Sequence, residues 1–204
     1  MGLDDKLEKI KKLGLSEIKE ELMSSPALKF TIKEVGISNE RSALIASSVF
    51  TALMKVAWLD RELTELEAQY LLRESSAWCD FEEENRKFML DAHSTLVRRN
   101  IKFKKYIPYH LAYLGIVLDE MDRVLLLETL VVISRSDLEV SKIEEKFLSE
   151  LGEYLRVPSA KTTELIMNAK FLVQQRLDSV RDLKIVEKEK EQSTYELPDI
   201  SFDW

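Results

Sequence analysis

The chain has 204 residues, with five Gly, four Pro and a charged fraction of 33%. That is the make-up of one all-α domain large enough to fold without a disulfide or metal staple. Its net charge of −7 argues against a general nucleic-acid binder, and its one cysteine, Cys79, can close no internal disulfide and build no thiolate cluster.

At the N-terminus charged and apolar residues alternate without the continuous apolar segment of a secretory signal. The apolar runs 111–118 and 125–133 are too short to span a bilayer. The expected setting is therefore soluble and cytoplasmic. Residues 1–37 read as an arm of short helices packed on the core. Leu3, Leu7 and Ile10 form one stripe, Gly14 interrupts it, and Ile18 and Leu22 face inward in the next segment. Pro26 opens a further helix and Gly36 closes the arm. The alternative for this arm is an amphipathic helix lying on a partner or, peripherally, on a membrane.

A domain follows over residues 38–185. Its first helix runs from Asn39 to Trp58 or Leu59, with Leu44, Ile45, Val49, Phe50, Leu53, Met54, Val56 and Ala57 covering more than one side. A helix so apolar belongs at the centre of a bundle. Asp60-Arg61-Glu62 makes an acidic turn, and Thr64 with Glu67 forms a capping box that opens the next helix. Asp80 and Glu83 start a third helix, with Phe81, Phe88, Met89, Ala92 and Leu96 inward. Arg98, Arg99, Lys102, Lys104 and Lys105 then crowd a short stretch without an acid. This stretch reads as a solvated loop; an anion, an acidic partner or a lipid surface is the alternative.

Pro108 begins a short apolar helix reaching Leu118, and Val124, Leu125, Leu126, Leu130, Val131 and Ile133 predict a second central helix. Asp137-Leu138-Glu139 is its turn, with Ser141 and Glu144 as another capping box. A shift of 77 residues superposes Asp60 on Asp137, Glu62 on Glu139 and Glu67 on Glu144. The repeats, about 41–76 and 118–155, thus predict a duplicated helix–acidic turn–helix unit with local two-fold character. A closing helix is expected over 159–184, its apolar set being Leu165, Ile166, Ala169, Leu172, Val173 and Leu177. Residues 186–204 hold six acids against two lysines and cannot support a core, so disorder is expected when they are free. Tyr195, Leu197, Ile200, Phe202 and Trp204 nevertheless supply anchors suited to a groove on a protein partner or on a second copy of the chain.

Catalytic constellations are missing from the sequence. His93 and His110 lack metal-ligand spacing, and His93 is expected to be a satisfied core histidine. No phosphate loop, nucleophile elbow or Cys-x-x-Cys pair occurs. The remaining chemistry is acidic: Asp60, Glu62, Glu67, Asp137, Glu139 and Glu144 offer oxygen ligands of the kind hard divalent cations take. If the turns met, the carboxylates would repel one another unless a cation joined them. Capping and helix-dipole roles account for the same residues without a metal. Neither turn has the alternating aspartates of an EF-hand, which excludes a tight calcium loop of that kind.

The segments AWLDRELTELEAQYLL and ISRSDLEVSKIEEKFLSELGEYLRV resemble the TerB-like family of tellurite-resistance proteins. Asp60 with Glu67 and Asp137 with Glu144 reproduce the family's Asp-to-Glu interval, while the Gly that follows Asp in the family is Arg61 in one copy and Leu138 in the other. The resemblance covers roughly residues 40–156. It implies an all-α, two-fold-related bundle, a bacterial cytoplasmic or membrane-associated setting, and a role in metal sensing or stress complexes. The expectation is a non-enzymatic binding protein of stress-response type, its acidic turns holding a divalent cation. A metal-free adaptor docking through the N-terminal helices or the aromatic tail is the alternative.

Overall fold

The structure is a computed structural model that describes residues 9, 10, 12–58, 65–79, 81–99, 102–134 and 142–174, with backbone only for 65–67 and 142–144. Its described elements are α1 (Leu15–Met23), α2 (Pro26–Lys33), α3 (Glu40–Ala57), α4 (Glu65–Ser75), α5 (Glu83–Arg99), a 3-10 turn (Phe103–Lys105), α6 (Ile107–Val117), α7 (Glu120–Ser134), α8 (Lys142–Tyr154) and α9 (Ser159–Met167). Among the described residues there is no strand, and the fold is all-α.

The signals that start and stop these helices are local. Asn39 caps α3, its side chain accepting from the Ser42 N–H at 3.0 Å. Asp119 accepts from the Asp122 N–H at 2.8 Å at the start of α7. Pro26 and Pro108 sit in the first turns of α2 and α6, where a missing N–H costs nothing. Gly36, at φ +77°, turns the chain beyond α2.

At the middle lies α3, with thirteen of its eighteen residues buried and α2, α4, α5, α6 and α7 packed around it. Its small residues, Ala43, Ala46, Ser47 and Ala52, let so many neighbours approach. Two buried hydroxyls on α3 bond to the helix's own carbonyls, Ser47 to Leu44 at 3.2 Å and Thr51 to Ser47 at 2.7 Å, so these polar groups are satisfied locally. Outside this layer, α8 packs on α6, α7 and α9.

Several expectations change on folding. The N-terminal arm is no peripheral attachment: Ile18, Leu22, Leu28 and Phe30 are fully buried, α2 packs on α3 and α5, and α1 packs on α6. The stripe residue Ile10 is buried, whereas Leu3 and Leu7 lie outside the described residues. Phe81, Phe88, Ile45 and Val124 are only half-buried, and Leu125 is exposed among the described residues. The closing helix is not continuous. It breaks at Asn168, where α9 ends, and resumes over 169–174; Leu177 and the rest of the expected helix lie outside the described residues.

The two helix pairs match in extent. α3 ends at Ala57 and α4 opens at Glu65; α7 ends at Ser134 and α8 opens at Lys142. Both junctions differ by the same 77 residues that superpose the sequences. The duplication remains a proposal, supported by this matched spacing.

Candidate functional site

Of the six acidic candidates, Glu67 and Glu144 fall in the first turns of α4 and α8, and the other four fall in the sequence between the paired helices. Asp60, Glu62, Asp137 and Glu139 lie outside the described residues, and so do the side chains of Glu67 and Glu144 and the capping residues Thr64 and Ser141. What is described is the framework on either side. Lys55, near the end of α3, places its Nζ 4.8 Å from the ring centroid of Phe147 in the second turn of α8. The helix that leads into the first acidic junction therefore touches the helix that leaves the second. α4, which follows the first junction, packs on α7, which precedes the second. Among the described residues no group of three His, Cys, Asp or Glu is placed to hold a metal ion. The donors implied for a cation are all carboxylates, a set that fits a hard divalent ion.

Beside this framework lies a basic, aromatic face that the sequence presented as a loop. Arg98 and Arg99 form the last turn of α5, and Lys102, Lys104 and Lys105 belong to the 3-10 turn and its entry. Phe103 anchors the 3-10 turn: its side chain is fully buried, with the exposed Lys102 and Lys104 on either side of it in sequence. The Arg98 guanidinium stacks 3.9 Å from the Trp58 ring centroid, and the Trp58 indole N–H donates to Ser94 Oγ at 2.9 Å. Lys105 lies 4.6 Å over Tyr106. Lys55 is held below the usual ammonium range by burial and, secondarily, by the nearby Lys104 charge.

The histidines belong to the core. His110 bridges Ser25 Oγ at Nε2 (2.8 Å) and Ser48 Oγ at Nδ1 (2.9 Å), joining the start of α2 to the middle of α3 through α6. A neutral ring donates with one nitrogen and accepts with the other, so both hydroxyls are served without a charge. Burial, then the neighbouring His93, pushes His110 down to about 3. His93 is also fully buried, but it is only half satisfied. Its Nδ1 meets the Met89 carbonyl at 2.8 Å, which assigns the neutral ring's proton to Nδ1 because a carbonyl can only accept. Nε2 has no hydrogen-bond partner among the described residues. Burial brings His93 down to about 4; the Met89 and Ser47 backbone groups oppose that shift, the latter without reaching hydrogen-bond geometry.

Nucleophilic chemistry is disfavoured at Cys79, because burial pushes its thiol up to about 12 despite the opposing Arg86 charge. The tail anchors Tyr195, Leu197, Ile200, Phe202 and Trp204 lie outside the described residues. Among the described residues no helix is long and apolar enough to cross a membrane. The serine–histidine bridge was not foreseen. Its sequence signal was Ser47-Ser48 in the middle of an otherwise apolar helix, a pair of hydroxyls requiring partners in the core.

Neither the curated proteins nor the solved structures give a match to the chain. The family model described as "Tellurite resistance protein TerB" matches residues 46–168, from within α3 to just past α9 and more than half of the chain. An all-α bundle built on a central apolar helix, with acidic junctions at corresponding places in two helix pairs, accords with that match: the chain belongs to the TerB family of tellurite-resistance proteins.

Proposed function

We propose that the chain is a non-catalytic binding protein of stress-response type that holds a divalent cation between its two acidic junctions. Asp60, Glu62 and Glu67 would supply oxygens from one junction, and Asp137, Glu139 and Glu144 from the other. The observation that supports this reading is the approach of Lys55 to Phe147, which draws the flanks of the two junctions to one end of the bundle. Carboxylates gathered there would repel one another, and a cation would relieve that repulsion. The same donors favour Mg²⁺, Ca²⁺ or Mn²⁺ over thiophilic ions. Calorimetric titration of the full chain with Ca²⁺, Mg²⁺, Mn²⁺ and Zn²⁺ tests the reading. A saturable heat is expected from at least one hard cation and is lost in the Asp60→Asn/Asp137→Asn variant. No heat, with an unchanged melting temperature, removes the cation role.

The basic, aromatic face favours a second reading, a metal-free adaptor that docks an acidic protein partner. An exposed arginine stacked on a half-buried tryptophan has the composition of an interaction surface, and the lysines beside it suit an acidic partner. On this reading, charge reversal at Lys102 and Lys104 weakens recovery of partners while leaving divalent titration unaltered.

A further inference from the structure

Six cations gather where α5 gives way to the 3-10 turn: Arg98 and Arg99 end α5, Lys102, Lys104 and Lys105 lie in and around the turn, and Lys55 of α3 feels the Lys104 charge. All but Lys55 are exposed. Elsewhere on the described surface some lysines meet acids, as in Lys19–Glu40, Lys87–Glu83, Lys146–Glu150 and Lys161–Glu164, while others such as Lys29 and Lys33 stand singly, so it is the crowding of these six that sets them apart. Among the described residues none of the six is in an ion pair. Arg98 and Arg99 gain something from the C-terminal dipole of α5, but that effect fades within a turn and leaves the three lysines unexplained.

An unneutralised positive face is unusual on a chain with 37 acids against 30 basic residues. Part of its geometry is also fixed in advance. Phe103 is fully buried between Lys102 and Lys104, and the Arg98–Trp58 stack holds a guanidinium against an aromatic plane. A ligand binding here meets a guanidinium–indole stack already in position, while the lysine side chains are ordered on binding.

The complementary surface is present in the same chain. Residues 187–204 carry Glu187, Glu189, Glu191, Glu196, Asp199 and Asp203, and from Glu191 onward no base occurs. Tyr195, Phe202 and Trp204 lie among those acids. We propose that residues 187–204 dock in cis on the face formed by Trp58, Arg98, Arg99, Lys102, Lys104 and Lys105. The acids neutralise the lysines and arginines, and the apolar residues settle beside Trp58. The connecting residues 175–186 span up to about 40 Å when extended, against a radius of gyration of about 16 Å for a domain of this size. Tethering raises the effective concentration of the segment to about the millimolar range, so a contact too weak to hold a free peptide is occupied. The net charge of −7 opposes the approach of an anionic membrane. The inference does not depend on cation binding at the acidic junctions.

Zero-length carbodiimide cross-linking of the full chain, on a mixture of ¹⁴N- and ¹⁵N-labelled protein at low ionic strength, reads the contact directly. The expected result is cross-links from Lys102, Lys104 or Lys105 to the acids of 187–204, joining atoms of like isotope. These should fall at least about fivefold in 0.5 M salt. In Arg99→Glu/Lys102→Glu the links at Lys104 and Lys105 should fall by a similar factor. Links that are absent, that join unlike isotopes, or that survive both salt and charge reversal overturn the proposal. A second readout uses phosphatidylserine vesicles: neutralising the segment (Glu191→Gln/Glu196→Gln/Asp199→Asn/Asp203→Asn) should increase vesicle binding by uncovering the face. Equal binding by both forms also overturns it.

Discussion

At His110 the two ring nitrogens each meet a serine hydroxyl in a fully buried site, and at His93 one nitrogen meets a carbonyl while the other has no hydrogen-bond partner among the described residues. Both arrangements suit neutral rings. In the unfolded chain each ring takes up a proton below about pH 6.5, whereas in the folded chain burial delays protonation to about 4 for His93 and about 3 for His110. Protons therefore favour the unfolded state as pH falls from 6.5 toward 4, and stability is lost across that window. Above it the rings are neutral in both states and add no pH dependence. Each histidine contributes a slope of up to about 1.4 kcal/mol per pH unit. Urea unfolding at pH 7.5, 6.5, 5.5 and 5.0 should show a level midpoint and then a steep decline. His110→Gln should remove about half of the decline between pH 6 and 5. A midpoint that stays level to pH 5 contradicts the assignment. The sequence placed His93 in the core but not its unpaired nitrogen. Burial follows from helical periodicity, whereas pairing depends on which helices are brought alongside.

At the scale of elements, two backbone features carry the packing of α8. Gly115 of α6 lies against the end of α8, where an added Cβ would sit about 2.1 Å from the Tyr154 carbonyl oxygen and 3.1 Å from the Leu155 Cα. Backbone cannot swing aside as a side chain can, so Gly115→Ala must push the helices apart. A loss of about 2–3 kcal/mol is expected, read as a melting temperature lower by about 4–10 °C; an unchanged value contradicts the close approach. α8 then ends at Arg156, whose φ of +56° is in the left-handed region. The Val157 N–H reaches the Gly152 carbonyl at 2.9 Å and the Arg156 N–H reaches Glu153 at 3.1 Å, which is the Schellman pattern. Glycine adopts this conformation without the Cβ penalty. Arg156→Gly should accordingly gain about 0.5–1 kcal/mol, a rise of about 1–4 °C in a thermal melt. A fall would show that the Arg156 side chain contributes more than its backbone strain costs. Helix starts at Asn39, Pro26 and Pro108 were legible because caps and prolines act within one turn of chain. The break at Asn168 was not legible, since its surroundings keep helical spacing and carry neither Gly nor Pro.

For the whole molecule, the central position of α3 was readable from its nearly all-round apolar surface. The integration of α1 and α2 into the core was not. Amphipathic stripes in short helices show that a face is buried, but leave open whether it meets the rim or the centre. The family match begins at residue 46 and so omits both helices, although α2 packs directly on α3. The acidic segments repeat in the sequence at a 77-residue shift, and the helix ends on either side of them, Ala57 and Glu65, Ser134 and Lys142, keep the same shift. The basic stretch was legible as a run of five cations without an acid, but not its 3-10 turn, which depends on Phe103 finding a buried site among other helices.

The central claim is that both acidic junctions contribute to one cation site at one end of the bundle. Paramagnetic broadening by substoichiometric Mn²⁺ in amide NMR spectra of the full chain tests it most directly. The account predicts that signals from Trp58 and Glu65, flanking the first junction, and from Ser134 and Lys142, flanking the second, broaden together, and that Asp60→Asn/Asp137→Asn abolishes the effect. Broadening confined to one junction, or none beyond that of remote exposed carboxylates such as Glu164, would contradict it.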